Sequence, residues 1–416
     1  MPPRLLILSN GHGEDLIALR VIGALHRLLP DLELQVLPLV GEGSSYGKAE
    51  ALGMLRQVGP RQSLPSGGFS NQSLSGLLRD LGAGLPLLFA RQIQLVRRWG
   101  ERGDPILAVG DLLPLALAWA SGSRFGFVGT PKSDFTWASA PPAGWGSSPL
   151  ADGYHRCKGS EWDPWEWGLM ASRRCHLVAV RDPLTARGLR RHRVAALAPG
   201  NPMMDGFDFS PRPAWLAGKQ VLLLLAGSRH PEALGNFRRL LGALPHRPQQ
   251  PLTVLTAVGS RPRPEELVAP LTEAGFAATP LPAPDCAAAA WQRGDVTLLI
   301  GPARFEQWAG WADLGLAAAG TATEQLVGLG IPALPSPGPG PQFKAGFARR
   351  QSRLLGGAVQ PCHDQTELTL RLQALLQDLP ERQRLGRIGR RRMGPPGASE
   401  RLAALIATRL LPEWGG

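Results

Sequence analysis

Apolar residues in this chain come in short unbroken runs, each followed by a stretch with helical spacing. In the first half the runs are Leu5–Leu8, Leu34–Leu39, Ile106–Val109, Phe125–Val128, Leu177–Val180 and Val194–Ala198. Helical patterns such as Leu16–Leu29 and Leu112–Ala120 lie between them. A run without polar alternation predicts a strand buried on both faces. Repetition of strand and helix predicts a parallel sheet with helices on each side. Pro199, Pro202, Pro211 and Pro213 then interrupt the pattern, and Pro199–Gly218 is expected to act as a hinge. The runs restart at Val221–Leu225 and continue at Leu252–Ala257, Val296–Ile300, Leu314–Ala318 and Ile331–Leu334. Closing helices are expected at Glu367–Leu376, Arg382–Arg391 and Ser399–Leu411.

A length of 416 residues suits two domains. The pattern divides the chain into an N-terminal Rossmann-like domain over 1–208 and a second over 219–398. Residues 399–416 form a last helix expected to pack back on the N-terminal domain. Two open α/β sheets in series imply an interdomain cleft, because ligands of such sheets sit at the carboxyl ends of the strands. Asp134–Glu166, rich in Pro, Gly and Trp, is expected to be a long functional or disordered loop.

Charge narrows the partners. Lys and Arg total 45 against 33 Asp and Glu, a formal net charge of +12. That excess fits a nucleotide, an anionic lipid surface or nucleic acid, and equally an arginine-rich surface with no partner. No nucleic-acid recognition motif is present, so nucleic acid is not expected. Cys157, Cys175, Cys286 and Cys362 are scattered, with no C-x-x-C pair and no Cys/His cluster at zinc spacing. A reducing cytosol and no metal site are expected. The first ten residues lack a signal-peptide pattern, and the apolar stretch Ile106–Ala120 is broken by Asp111 and Pro114. The expected location is the cytoplasm, with peripheral contact at a membrane face left open.

The chemistry-bearing residues follow predicted strands. Ala317–Gln342 ends one strand in small residues and opens a helix at Gly320-Thr321-Ala322-Thr323, with Glu324 in its first turn. A second strand then runs into a Pro/Gly loop ending at Gln342. A helix N-terminus built of small residues offers free backbone amides to phosphate, and a carboxylate one turn in can accept hydrogen bonds from a ribose diol. Ala226-Gly227-Ser228-Arg229 offers two exposed amides and a forked guanidinium. In the N-terminal half, Asn10-Gly11-His12-Gly13-Glu14-Asp15 follows the first strand. His12 suits a general base near neutral pH. Asn10 and Asp15 also suit turn and cap roles. Asp111 fits a catalytic or orienting carboxylate and, equally, a helix cap ahead of Pro114. Trp162, Trp165 and Trp167 suit sugar stacking, a lipid contact or a local core. Leu74–Arg102 has one apolar face and the cations Arg91, Arg97, Arg98 and Arg102, which fits an ordinary domain helix or one lying on an anionic membrane.

Taken together, these turns resemble the lipid-A-disaccharide synthase family of inverting GT-B glycosyltransferases, most closely its divergent, synthase-related branch, over nearly the whole chain. The C-terminal half also resembles the N-acetylglucosaminyltransferase of peptidoglycan precursor assembly. Leu225-Ala226-Gly227-Ser228-Arg229 is similar to the family's L-P-G-S-R, whose Arg serves the donor. Ala319-Gly320-Thr321-Ala322-Thr323-Glu324 is similar to its S-G-T-A-T-L-E, one residue shorter before the Glu. Pro199-Gly200-Asn201-Pro202-Met203-Met204-Asp205 is similar to G-H-P-x-x-D, and Trp165-Glu166-Trp167 to W-A-W. The family's G-E-A-S-G-D turn keeps only Asp15 here. Its D-x-P-D-F-N, which carries the proposed catalytic Asp, keeps only its first position, as Asp111. His12 is closer to the G-G-T-G-G-H of the peptidoglycan enzyme. These departures bear on the acceptor more than on the donor.

The resemblance implies a metal-independent, inverting transfer of sugar from a UDP-sugar to a lipid acceptor, with the UDP-sugar as co-substrate and no cofactor. The absence of a D-x-D motif agrees with it. Asp111 and His12 are the catalytic candidates. Gly227, Ser228, Arg229, Gly320, Thr321, Ala322, Thr323, Glu324 and Gln342 form the expected donor set. Asn10, Gly11, Gly13, Asp15, Trp165, Trp167, Asn201 and Asp205 form the acceptor or cleft set. Two other readings stand beside it: a UDP-sugar 2-epimerase of the same fold, and a non-catalytic binder of nucleotide or lipid. The sequence does not indicate an oligomeric state.

Overall fold

Continuous apolar runs become strands covered on both faces, and together with shorter edge strands they build two seven-stranded sheets among the described residues. The computed structural model describes residues 3–60, 85–207, 209–228, 231–259, 261–336, 338 and 344–412. The chain forms two compact units. One comprises Met1–Asp134, Pro149–Asp205 and Pro395–Gly416, and the other Phe135–Ser148 and Gly206–Gly394. The chain therefore passes between units at Asp205–Gly206, inside the proline-rich stretch, and at three further points.

The first unit's strands are β1 (Arg4–Ser9), β2 (Glu33–Pro38), β3 (Arg56–Gln57), β4 (Ile106–Gly110), β5 (Phe125–Gly129), β6 (Cys175–Val180) and β7 (Ala196–Leu197). Their order is β3-β2-β1-β4-β5-β6-β7, every pair parallel. Leu5 to Ser9 and Ile106 to Gly110 are buried at every position, as a sheet covered on both sides requires. The last helix, Ala398–Leu410, packs on the helix His12–Leu28 and buries Leu402, Ala403, Ile406, Ala407 and Leu410. These recur three and four residues apart, on one helical face.

The second unit holds β8 (Gln220–Leu225), β9 (Leu252–Val258), β10 (Ala277–Thr279), β11 (Ala289–Arg293), β12 (Val296–Pro302), β13 (Leu314–Ala317) and β14 (Ala333–Leu334). The order is β10-β11-β12-β9-β8-β13-β14. Strands β12 to β14 in that order are parallel, whereas β10 and β11 run antiparallel along one edge. This sheet is mixed, unlike the purely parallel one that the alternation predicts. The edge strands carry no continuous apolar run, because Ala277–Thr279 and Ala289–Arg293 are largely uncovered. A two-residue Gly294–Asp295 turn pairs β11 with β12, with Gly294 at φ +54°. β3, only two residues long, also leaves no apolar run to read.

Two further expectations need correcting. Asp134–Glu166 is not one long loop: it contains the helices Phe135–Ala138 and Pro149–Lys158 and the start of Pro164–Met170. The last opens on a capping box, with Asp163 before Pro164 and Glu166 reaching back to the Asp163 amide at 2.7 Å. Phe135–Ser148 belongs to the second unit. Arg353 Nε donates to the Ser139 carbonyl at 2.8 Å and its Nη2 to that of Trp137 at 2.9 Å. Trp145 stacks on His363 at 4.3 Å. Within Leu74–Arg102 the helix spans Leu85–Glu101, and the start of that stretch lies outside the described residues. Among the described residues, no helix is long and apolar enough to cross a membrane.

Candidate functional site

In an open parallel sheet, a crevice forms where two neighbouring strands send their connections in opposite directions. The first sheet has that point between β1 and β4: the chain proceeds from β1 outward to β2 and β3, then resumes beyond β1 at β4. Ser9 pairs with Val109, so the two turns that follow lie side by side. Asn10 Nδ2 donates to Asp111 Oδ1 at 2.6 Å. Asp111 also caps the helix Leu112–Ala120, accepting from the Leu113 amide at 3.2 Å. Capping and a place in the crevice are thus both true of it. Burial raises the Asp111 carboxyl above the ordinary carboxylate value, against the lowering influence of the Leu113 amide, Lys132 and Asn10. Gly110 has φ +133°, and a Cβ there would overlap Asn10 Oδ1, so only glycine lets the two turns meet. Asn10 Oδ1 itself is buried, with no donor among the described residues.

The rest of the N-terminal set goes to different places. Asp15 lies beneath the turn, where its Oδ1 accepts from Ser9 Oγ at 2.6 Å, and the same hydroxyl meets Tyr46 at 2.7 Å. Burial, then the neighbouring Asp15, pushes the Tyr46 phenol well above its usual value and keeps it neutral. Gly11, at φ +141°, starts the helix that contains His12 and Gly13, and its carbonyl accepts from the Asp15 amide at 2.7 Å. The His12 side chain lies outside the described residues. Asn201 caps the short helix Pro202–Met204 through the Met203 amide at 3.1 Å. Asp205 holds the start of the last helix, accepting from the Gly397 and Ser399 amides at 2.5 and 2.8 Å and from Ser399 Oγ at 2.6 Å.

The tryptophans divide three ways. Trp162 is fully buried against Phe127 in the core, Trp167 stacks on His192 at 3.4 Å, and Trp165 is exposed. Between Trp165 and Trp167, the fully buried Glu166 binds Lys132 Nζ at 2.7 Å.

The second sheet has its reversal between β8 and β13, and the two expected donor turns are the ones that leave these strands. The Ala318 amide donates to the Leu225 carbonyl at 2.7 Å, which sets Ala226–Ser228 beside Ala318–Gly320. Gly227 takes φ +86°. Gly320 is the first flanking residue of the helix Thr321–Gly328, which has no side-chain cap and carries Glu324 in its first turn. The amides of Gly320, Thr321 and Ala322 have no acceptor among the described residues. Thr323 turns inward instead, its Oγ1 donating to the Ala319 carbonyl at 2.6 Å. Arg229 and Gln342 lie outside the described residues. Two side chains that sequence reasoning missed also reach these turns. Asn236 Nδ2 donates to the Ala226 carbonyl at 3.0 Å, and Gln351 Nε2 to the Gly320 carbonyl at 3.1 Å. Gln351 lies 31 positions from its partner on a helix whose sequence reads as a basic surface segment, so no local signal marks it.

Two open sheets, each with a reversal after its first strand, match solved structures along the whole chain. MurG of Acinetobacter baumannii aligns with TM-score 0.54 at 16% identity, over 98% of this chain and 100% of its own. The UDP-GlcNAc 2-epimerase of Neisseria meningitidis, solved bound to UDP-GlcNAc, aligns with TM-score 0.55 at 12% identity, over 97% and 100%. The S. aureus MnaA–UDP co-structure aligns with TM-score 0.55 at 13% identity, over 98% and 97%. The fold is GT-B. No protein-family model and no curated protein matches the chain in sequence. GT-B proteins are thus what the chain resembles in backbone, and function depends on the groups at its two strand reversals rather than on the fold.

Proposed function

We propose that this chain is a metal-independent, inverting glycosyltransferase that moves a sugar from a UDP-sugar to a lipid acceptor. The observation that carries the proposal is the set of acceptor-less amides at Gly320, Thr321 and Ala322, at the strand reversal of the second sheet. Oriented amides at a helix N-terminus favour an anion, and a departing nucleoside diphosphate gains charge as the glycosidic bond breaks. Glu324 accepts from the ribose hydroxyls. Arg229 and Gln342 complete the donor set on the strength of the sequence alone.

Asp111 is the base that takes the acceptor hydroxyl's proton. Burial raises its affinity for a proton, and Asn10 fixes one oxygen so that the carboxylate keeps one orientation. His12 is the alternative base. The attacking oxygen forms its bond to the anomeric carbon as the bond to the diphosphate breaks on the opposite face, which inverts that carbon. A lipid acceptor and peripheral membrane contact are supported by the helix Leu85–Glu101. It buries Leu88, Val96 and Trp99 but exposes Leu87 together with Arg91, Arg97 and Arg98. The membrane face is thus the basic side of an ordinary domain helix rather than its apolar stripe.

The Neisseria likeness favours one second reading, epimerisation of a UDP-sugar at C2. UDP-N-acetylglucosamine incubated alone separates the two, because an epimerase needs no acceptor. Transfer itself is tested by release of UDP from a panel of UDP-sugars with glycolipid acceptors. Asp111→Asn should lower it about a thousandfold and Glu324→Ala about tenfold at limiting UDP-sugar, and normal turnover in both variants sinks the proposal.

A further inference from the structure

We infer that Gln351 and Asn236 are positioning residues that aim the backbone amides of the two second-sheet turns at the donor's diphosphate, an inference that rests on the nucleotide-sugar reading above. In a planar trans peptide, the carbonyl of one residue and the amide of the next point in opposite directions. A side chain that ties down a carbonyl therefore directs the following N–H the other way. Gln351 is 4% exposed and joins the Thr323 and Glu324 amides in donating to the Gly320 carbonyl, which holds that peptide with the Thr321 amide turned outward. Asn236 is 1% exposed and ties down the Ala226 carbonyl, which turns the Gly227 amide outward. Thr323, already in the expected donor set, does the same for the Gly320 amide by holding the Ala319 carbonyl.

The chemistry of each tie is specific. Arg239 Nη2 donates to Asn236 Oδ1. A guanidinium only donates, so the amide oxygen of Asn236 faces Arg239 and its Nδ2 is left to face Ala226. Gln351 sits on the helix Ala345–Leu354, which Arg353 pins to the Trp137 and Ser139 carbonyls. The donor of each tie is thus itself held in place. The three directed amides, at Gly227, Gly320 and Thr321, have no acceptor among the described residues. The Gly227 amide follows one strand of the reversal, and those of Gly320 and Thr321 follow the other.

Calorimetric titration with UDP and with uridine tests this. Gln351→Met keeps the length of the side chain and removes the donor, as Asn236→Leu does for its site. Each variant should bind UDP about tenfold more weakly, the effect expected of one lost orienting hydrogen bond, and uridine unchanged. A residue that merely supports the fold would weaken both ligands alike, so an unchanged ratio of UDP to uridine affinity overturns the inference. If neither variant folds, the wild-type protein still decides. The Gly227, Gly320 and Thr321 amide resonances should move with UDP and stay in place with uridine, and stationary resonances overturn the inference. Failure of the wild-type protein to bind UDP at all would remove the nucleotide-sugar reading and this inference with it.

Discussion

The two sheets share a plan and differ in what stands at its focus. In each, the chain leaves the first strand on one side and later resumes on the other, and the paired turns lie at the strand ends. At the β1/β4 reversal those turns bring together side chains, an amide hydrogen-bonded to a half-buried carboxylate whose proton affinity is raised. At the β8/β13 reversal they bring together bare backbone, with the side chains turned inward to hold carbonyls. A carboxylate with raised proton affinity suits removal of a proton, and a row of amides suits a phosphate. One backbone plan thus supports two chemistries, and the difference lies in whether side chains or peptides fill the crevice.

The comparison can be broken most sharply at Asp111. Asp111→Asn should lower turnover about a thousandfold, within the range for loss of a general base, and leave UDP affinity as it was. A change confined to UDP affinity would move the chemistry away from the first sheet. Gly110→Ala comes next. The added methyl meets Asn10 Oδ1 at a φ of +133°, and denaturant unfolding should show a loss of about 2 kcal/mol. An unaltered midpoint would mean that the two turns are not locked together.

Glu324→Ala should weaken UDP about tenfold, because it removes the hydrogen bonds that the carboxylate accepts from the ribose hydroxyls. The smallest effect is a shift in pH dependence. Activity should decline as pH falls through the raised Asp111 value, because the base must be unprotonated. Asn10→Ala removes a hydrogen bond that lowers that value, so the acid limb of the rate profile should move to higher pH. Movement to lower pH would reverse the role given to Asn10.

Much of the sheet core was legible because strands buried on both faces leave unbroken apolar runs, as at Leu5–Leu8 and Val221–Leu225. The turns at Asn10, Asp111, Ala226 and Gly320 were legible for a related reason: small or polar residues placed directly after such runs end up at the carboxyl edge. The edge strands Ala277–Thr279 and Ala289–Arg293 were not, since half-exposed strands carry a mixed pattern. The helix at Pro164 left a readable signal in Asp163-Pro164 with Glu166, which a loop-like composition obscured.

Roles fixed by distant contacts left no local mark. Asp15 has the composition of a cleft residue, yet Ser9 and Tyr46 hold it under the turn. Asp205 sits in a motif-like context and binds a helix that begins 193 positions later. Gln351 and Asn236 became visible only when the fold brought them to carbonyls of the two turns.

The central claim is the division of labour between the two strand reversals, and calorimetric titration of UDP into the wild-type protein, Asp111→Asn and Glu324→Ala tests it most directly. The account predicts binding by the wild-type protein, unchanged affinity in Asp111→Asn, and about tenfold weaker affinity in Glu324→Ala. Absence of binding to the wild-type protein, or weakening by Asp111→Asn but not by Glu324→Ala, would contradict it.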